Sequence, residues 1–291
     1  MVDIRKATEN DCEQVYQLLR SSPLNSRGLP RENRERMFRR HWGGEEDYYG
    51  YVMTDEDKVV GYIGTLFSRR EVGGVERKFC EIHSWYVQDA YRNESLKLFF
   101  PICGLRGYEI TNLTPTQGVL DIQRKFGFVD LETHLRVIYP LPTLASFTTR
   151  YRLQYDPERI DEQLEGEGRR VFDDHRHLNC LHVLASNAAG ETCYLMVKKL
   201  RRSHLEPYAR VFYISNLKVF HELLPVLRTR LCLKLKVRCL VMNDDLLEGR
   251  TPRFSSRMTR EVPSIYKSKN LGKQDINHLY SAPLVLDYYM Q

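Results

Sequence analysis

The sequence predicts an α/β (α+β) protein of two domains, each a mixed, mostly antiparallel sheet flanked by helices. Three observations carry this. Short runs with period-two alternation come in groups of three, amphipathic helical segments separate the later strands, and a βββαβ order recurs on either side of Pro140-Leu141-Pro142. A chain of 291 residues has room for about two domains at roughly 100–200 residues each. The predicted division is 1–141 and 142–291.

The first element is a short strand at Val2 and Ile4, where apolar and polar residues alternate. Thr8-Glu9-Asn10-Asp11 then reads as an N-cap with an acid three residues on, a variant of the capping box. Behind it Cys12, Val15, Tyr16, Leu18 and Leu19 share one helical face. A Pro/Gly/Ser-rich loop over Ser21–Pro30 precedes a basic helical segment, Arg31–Trp42. Strands follow at Tyr48–Thr54, Val59–Ser68 and Arg77–Val87, joined by the polar turn Asp55–Lys58 and by Gly73-Gly74. A helix is expected from about Asn93 to Leu105, then a strand Tyr108–Leu113. Thr114-Pro115 opens the next helix, with proline in its first turn. It ends before Gly127, and Phe128–Ile138 is again a strand.

After the polar stretch Tyr155–Arg170 a second series begins. Leu181–Ser186 and Cys193–Leu200 flank the hairpin turn Asn187–Glu191, and Arg210–Ile214 is a strand. Asn216–Arg230 is an amphipathic helix interrupted by Pro225, with Asn216 as its N-cap, and Val237–Asn243 is a strand. This order echoes residues 48–113, so 142–291 reads as a diverged second copy of the first architecture. Arg250–Lys273 is polar and basic, carries Pro252 and Pro263, and is expected to loop over the surface. Leu279–Tyr289 regains an apolar pattern and is expected to dock as a final helix or strand.

Composition excludes several classes. With 42% hydrophobic and 28% charged residues the chain is neither fibrous nor disordered. No run of 18 uncharged apolar residues occurs, so no helical membrane span is expected. Met1–Arg5 lacks the layout of a secretory signal. The seven cysteines are scattered without a C-x-x-C, which fits reduced thiols in a cytoplasmic compartment better than a disulfide or zinc framework. His175-Arg176-His177 with His182 matches no strong ligand spacing, so no metal is expected. Nucleophile-elbow, Walker A and dinucleotide fingerprints are missing from the sequence as well.

Charge is unevenly placed. Residues 191–274 hold 18 Lys/Arg and 7 Asp/Glu, against a net +6 for the whole chain. Such a field either attracts phosphate-rich ligands or is a solvated surface spread over several faces. Nucleic acid is a conceivable partner on charge alone, with no RNP, helix-turn-helix or finger motif beside it. The sequence leaves the oligomeric state open. The 18 tyrosines suit a sugar or other amphipathic acceptor, although tyrosines also complete cores and rims.

Four stretches resemble the GCN5-related N-acetyltransferase (GNAT) superfamily: Ile4-Arg5-Lys6-Ala7 with the capped first helix, Val60-Gly61-Tyr62-Ile63-Gly64, Ser84–Leu98, and Gln123-Arg124-Lys125-Phe126-Gly127-Phe128. The resemblance covers residues 2–138 and implies an acetyl-CoA- or acyl-CoA-dependent acyltransferase. It further implies a tandem arrangement with a degenerate second half that walls the acceptor site. In that family a loop after the fourth strand binds the CoA pyrophosphate on backbone N–H groups at a helix N-terminus. The matching positions here are Val87, Arg92, Asn93, Glu94, Ser95, Leu96 and Lys97. Arg92 keeps the first position, while Ser95 and Lys97 stand where the family has small residues. Gln123 occupies the position of the tyrosine that commonly protonates the leaving thiolate, and an amide is no acid.

Amine acylation needs a base. Glu81 and His83, two residues apart on one strand, share a face, which makes Glu81 the candidate base and His83 its helper. The alternative is an ion-paired Glu81 and a structural His83. Asn112 and Thr114, at the end of the fifth strand, are candidates to orient the acyl carbonyl or the substrate, with a helix-capping role for Thr114 as the competing reading. The expected acceptor is an amine or hydroxyl of a small molecule or saccharide, acylated by direct transfer, since no placed cysteine supports an acyl-enzyme. Two other readings stand beside it: a non-catalytic GNAT-fold binding or scaffold protein, and a tRNA-dependent aminoacyl transferase.

Overall fold

The computed structural model describes residues 2–22, 30–147, 151–201 and 207–286. The chain forms two compact units, Met1–Leu131 with Val262–Tyr288, and a second over Glu132–Glu261. In the first, β1 (Asp3–Lys6), β2 (Gly50–Asp55), β3 (Lys58–Val72) and β4 (Val75–Val87) form an antiparallel meander. β4 pairs in parallel with β5 (Tyr108–Asn112), and β5 pairs antiparallel with the end of β12 (Ser255–Lys267). Helices α1 (Cys12–Arg20), α2 (Arg31–Glu35), α3 (Leu96–Cys103), α4 (Gln117–Lys125) and α8 (Ala282–Leu286) complete this unit.

The second unit repeats the order. Residues 135–138 of β6 (Val129–Ile138) pair with β11 (Leu240–Asn243), which pairs in parallel with β10 (Pro207–Ile214). β9 (Thr192–Arg201), β8 (Leu181–Ser186) and β7 (Arg152–Gln154) follow antiparallel. Helices α5 (Pro157–Asp161), α6 (Gly166–His175) and α7 (Leu217–Leu235) belong here.

The unit boundary differs from the expected cut at 141/142. In the first unit the strand beside the second parallel strand, β12, comes from outside the contiguous stretch that supplies the rest, whereas in the second that strand is β6, at the start of the unit's own stretch. Ladder partners are chosen by hydrogen bonding and burial across the sheet. A proline-rich link such as Pro140–Pro142 marks a break in local structure and carries no information about that choice.

The local signals explain most elements. Thr8 and Asp11 form the capping box, in a 3₁₀ turn Glu9–Asp11 leading into α1. Asp11 binds the Arg5 guanidinium at 2.6 and 2.8 Å and the Thr8 amide at 2.8 Å. Glu56 and Asp57 both take positive φ, as a tight hairpin between β2 and β3 requires.

Several elements depart from expectation. Arg31–Trp42 is a single turn of α-helix followed by a 3₁₀ turn at Arg36–Phe38. The helix expected from Asn93 begins at Leu96, because Asp89–Glu94 winds as a 3₁₀ helix. α4 begins at Gln117 behind Thr116, so Thr114-Pro115 lies in the turn before it. Two helices, α5 and α6, occupy the polar stretch 155–170 and beyond, burying Ile160, Val171 and Phe172. Pro225 does not interrupt α7: Leu223, Leu224, Val226 and Leu227 are buried on both sides of it, and their packing outweighs one missing amide donor. Much of Arg250–Lys273 is β12, in which exposed residues alternate with partly buried ones up to Glu261. Cys180 precedes β8 and is half-buried, whereas Cys193 is a buried core thiol in β9. The apolar C-terminal stretch docks as α8 through Leu286, and its residues 287–289, like 23–29 of the first loop, lie outside the described residues.

The second unit's core gathers Val183, Leu195, Val211, Phe220, Leu227 and their neighbours between α7 and the sheet. In the first unit one core lies under α3 and α4, around Ile63, Phe99 and Leu120. Another lies on the opposite face, where Tyr62 and Leu66 meet α1 and α8.

Candidate active site

The two parallel strands of the first unit part company at a defined level. β4 and β5 are paired from Lys78/Tyr108 to Glu81/Thr111 and no further. Just beyond, β4 bulges: between the pairs Gly64/His83 and Tyr62/Tyr86 it places Ser84 and Trp85 opposite the single residue Ile63. Ser84 takes φ +50, a left-handed conformation that ordinary side chains rarely adopt. A bulge bends its strand and ends regular pairing, and residues 83–87 of β4 have no ladder partner in β5. Crevices at the carboxyl ends of parallel strands are where open α/β sheets bind ligands.

Glu81 and His83 stand at that divergence, on one face of β4, with 1% and 3% of their surface exposed. Glu81 Oε2 accepts the Ala282 amide at 2.8 Å, while Oε1 has no hydrogen-bond partner among the described residues. Burial pushes the Glu81 carboxyl up to about 8, with the Ala282 amide and Arg70 pulling the other way. His83 Nδ1 lies 3.1 Å from the Ser84 hydroxyl and Nε2 has no described partner. Burial pushes this imidazole down to about 3, with His41 adding to the shift, so it is neutral at physiological pH. Its ring covers Gly64: a Cβ there would stand 2.2 Å from Cε1. Gly61 is closely overlaid too, with Val87 and Leu98 at 3.0 and 3.2 Å from where its Cβ would be. The two glycines of Val60–Gly64 thus admit His83 on one face of the sheet and α3 on the other.

Arg70 is a further site residue that sequence reasoning missed. It is buried, its guanidinium 4.0 Å from the Phe79 ring and 4.8 Å from the Tyr280 ring. It donates to Ser68 Oγ at 3.1 Å and to the Tyr280 and Asn277 carbonyls at 3.2 and 3.4 Å. Its signal was in the alternation Tyr62, Gly64, Leu66, Ser68, Arg70, which sets it on the face shared by Glu81 and His83. Thr111, directly across the ladder from Glu81, and Ser281, next to the Ala282 amide, each bury a hydroxyl with no described partner.

The loop after β4 is more closed than an open anion nest. Val87 is buried beneath α3, and Arg92, Asn93 and Glu94 are in the 3₁₀ helix. The Ser95 amide donates to the Arg92 carbonyl, and the Ser95 carbonyl accepts from Leu98, both at 3.1 Å. Arg92 pairs with Asp89 at 2.5 Å and Lys97 with Glu94 at 2.6 Å, all four side chains well exposed; Leu96 presents its side chain to solvent. Exposed ion pairs contribute only about 0–1 kcal/mol, so a diphosphate can exchange for either carboxylate at small cost. The residues present therefore fit such a ligand, through cations and not through glycines.

Asn112 and Thr114 are not brought together. Asn112 is buried and donates to Gln123 Oε1 at 2.9 Å, tying the end of β5 to α4, whereas Thr114 is exposed in the following turn. Gln123 is fully buried, and its Nε2 has no described partner. Among the described residues no cluster of His, Cys, Asp or Glu could hold a metal ion, and no helix is long and apolar enough to cross a membrane.

Comparison with known proteins bears on the fold. Residues 12–96 match the model of the acetyltransferase (GNAT) family. Compared by sequence, no curated protein matches the chain. Among solved structures it is similar to a probable N-acyltransferase from Enterococcus faecalis V583, at TM-score 0.60 and 10% identity, covering 91% of this chain and 72% of that one. A GCN5-related N-acetyltransferase from Anabaena variabilis superimposes at TM-score 0.56 and 13% identity, with the same coverage. A glucosamine N-acetyltransferase region of a fungal multi-domain β-N-acetylglucosaminidase gives TM-score 0.61 at 11% identity, over 91% of this chain and 38% of that one. At these identities the likeness is one of fold. The chain carries the GNAT fold, and residues 12–96 are the part of it that matches the family.

Proposed function

We propose that the chain is an acyl-CoA-dependent acyltransferase that acylates an amine or hydroxyl of a small molecule or saccharide by direct transfer. The observation that carries this reading is the divergence of β4 and β5 beside the buried Glu81 carboxyl and the neutral His83 imidazole, in a GNAT-family domain. Arg92 and Lys97 are the cations for the CoA diphosphate, on the loop with Val87, Asn93, Glu94, Ser95 and Leu96. Glu81, when ionised, takes the acceptor's proton. The acceptor nitrogen or oxygen bonds to the thioester carbon as the C–S bond breaks, and the thiolate takes a proton from water, because Gln123 has none to give. His83 serves as an uncharged hydrogen-bond partner, and Asn112 holds the end of β5 in place. The seven free cysteines support a cytoplasmic site of action.

A non-catalytic binding role is the second reading. It is favoured by the burial of Glu81 and His83 and by the amide at position 123. Calorimetric titration with acetyl-CoA and with free CoA, backed by thermal shift, tests the first reading. Ligand at 100 times its dissociation constant adds about 2.7 kcal/mol of stability. Saturable binding that Arg92→Glu weakens sharply is the expected result. Absence of binding to either ligand overturns the acyl-CoA reading, and unchanged affinity in Arg92→Glu overturns the loop assignment.

A further inference from the structure

The segment Ile276–Leu286 crosses the face of the first unit that holds Glu81 and His83, and it is buried over most of its length. Two charged side chains on adjacent strands hold it. Arg70 of β3 takes its carbonyls, at Asn277 and Tyr280, and Glu81 of β4 takes its amide, at Ala282. The candidate base thus spends one carboxyl oxygen on holding a strap, and that strap seals it from water. Neighbouring residues also bury polar atoms with no described partner: Nε2 of His83, two residues along the strand, Oγ1 of Thr111 across the ladder, and Oγ of Ser281 beside Ala282. In the closed arrangement no described group is hydrogen-bonded to Oε1, so ionising Glu81 there buries an unpaired negative oxygen, which is costly.

We propose that Arg70 and Glu81 form a proton-linked clasp: the strap Ile276–Leu286 lies closed over a protonated Glu81 and lifts when that carboxyl releases its proton, exposing Glu81 and His83 to an acceptor. The inference rests on Glu81 being the base of the proposed acyltransferase and adds the regulation of that site. On lifting, the O–H bond of the carboxyl breaks, the proton passes to solvent, and the carboxylate is rehydrated beside Arg70. Around Glu81, among the described residues, β3 contributes Arg70, β4 contributes Cys80 and His83, β5 the Thr111 hydroxyl and the strap Ser281 beside the Ala282 amide, while Tyr280 acts on Arg70 and His41 on His83. His83, held down to about 3, stays neutral while the clasp titrates. A carboxyl raised from 4.5 to about 8 by closure makes the closed form strongest below its ordinary value. The closed-to-open ratio falls about tenfold per pH unit between the two values.

Trp42 reports the strap directly, because its ring meets Tyr280 edge-on at 5.3 Å. In a Trp85→Phe background Trp42 is the sole indole, and its emission is followed from pH 5.5 to 9, with protection of the Ala282 amide against hydrogen exchange measured alongside on the unsubstituted chain. The expected result is a transition in both signals towards pH 8, abolished by Glu81→Gln, which keeps the strap closed throughout. Arg70→Met should leave the strap open at every pH, and Arg70→Lys should restore part of the closure. A transition that survives in Glu81→Gln, or Ala282 protection that does not change with pH after correction for the intrinsic exchange rate, overturns the clasp. These measurements use no ligand, so failure of CoA binding would sink the acyltransferase reading while leaving the strap result to stand or fall by itself. Binding of CoA to a chain whose strap ignores pH would do the reverse.

Discussion

Replacing Gly64 by alanine tests the geometry on which the site depends. An alanine Cβ would lie 2.2 Å from His83 Cε1 and 2.6 Å from both ring nitrogens, where ordinary contact begins at 3.4 Å. The imidazole must therefore move by about 1 Å or more within a site where His83 is 97% buried. Overpacking of this kind costs about 1–3 kcal/mol. Thermal melting reads it as a fall of roughly 2–4 °C per kcal/mol for a protein of this size. The cause is isolated by a double-mutant cycle with His83→Ala. With the ring gone, the three atoms nearest the new methyl are gone too, so the penalty of Gly64→Ala should largely vanish in that background. The coupling should recover most of the 1–3 kcal/mol. If the two substitutions instead add, the ring does not rest on Gly64. The placement of His83 over β3, and with it the assignment of both residues to one site, would then be refuted.

Other consequences are open to the same methods. Glu81→Gln should flatten the pH dependence of stability. A carboxyl held up at about 8 when folded contributes stability that is full below its ordinary value near 4.5 and is lost as pH rises through about 8. The slope removed is at most about 1.4 kcal/mol per pH unit, and an unchanged melting profile between pH 5 and 8 would contradict the burial of this group. Asn112→Ala should cost about 1–3 kcal/mol by stranding Gln123 Oε1; Asn112→Leu with Gln123→Met, which removes both partners, should recover much of it. Asp11→Ala should destabilise by about 1–2 kcal/mol at neutral pH. Burial alone would raise the Asp11 carboxyl, but the Arg5 and Thr8 hydrogen bonds outweigh it and hold it below 3.8. The loss should therefore disappear as pH falls through that depressed value.

What the sequence determined by itself was local. The capping box at Thr8–Asp11, the hairpin at Asp55–Lys58, the glycines of Val60–Gly64 and the shared face of Glu81 and His83 follow from spacing and backbone conformation over a few residues. Those rules hold wherever the segment sits in the fold. The helix start at Leu96 was displaced because Asp89–Glu94 chose i→i+3 hydrogen bonds, and α7 ran through Pro225 because buried neighbours outweighed one lost donor. In α7 tertiary packing tipped a local balance that the sequence leaves close to even, whereas the 3₁₀ segment buries no residue and its choice is a local one.

Tertiary structure alone decided the rest. No pattern within residues 276–286 says that the segment will lie across β3 and β4, more than 190 positions earlier in the chain, or that the Ala282 amide will meet Glu81. The same holds for Arg70, which reads as one more basic residue after Arg69 until its carbonyl partners at Asn277 and Tyr280 are seen. The first unit closes with a strand from outside its contiguous stretch, β12, which reaches β5 from more than 140 positions later in the chain. A strand's alternation specifies which face is buried and is silent about which neighbour completes its hydrogen bonds.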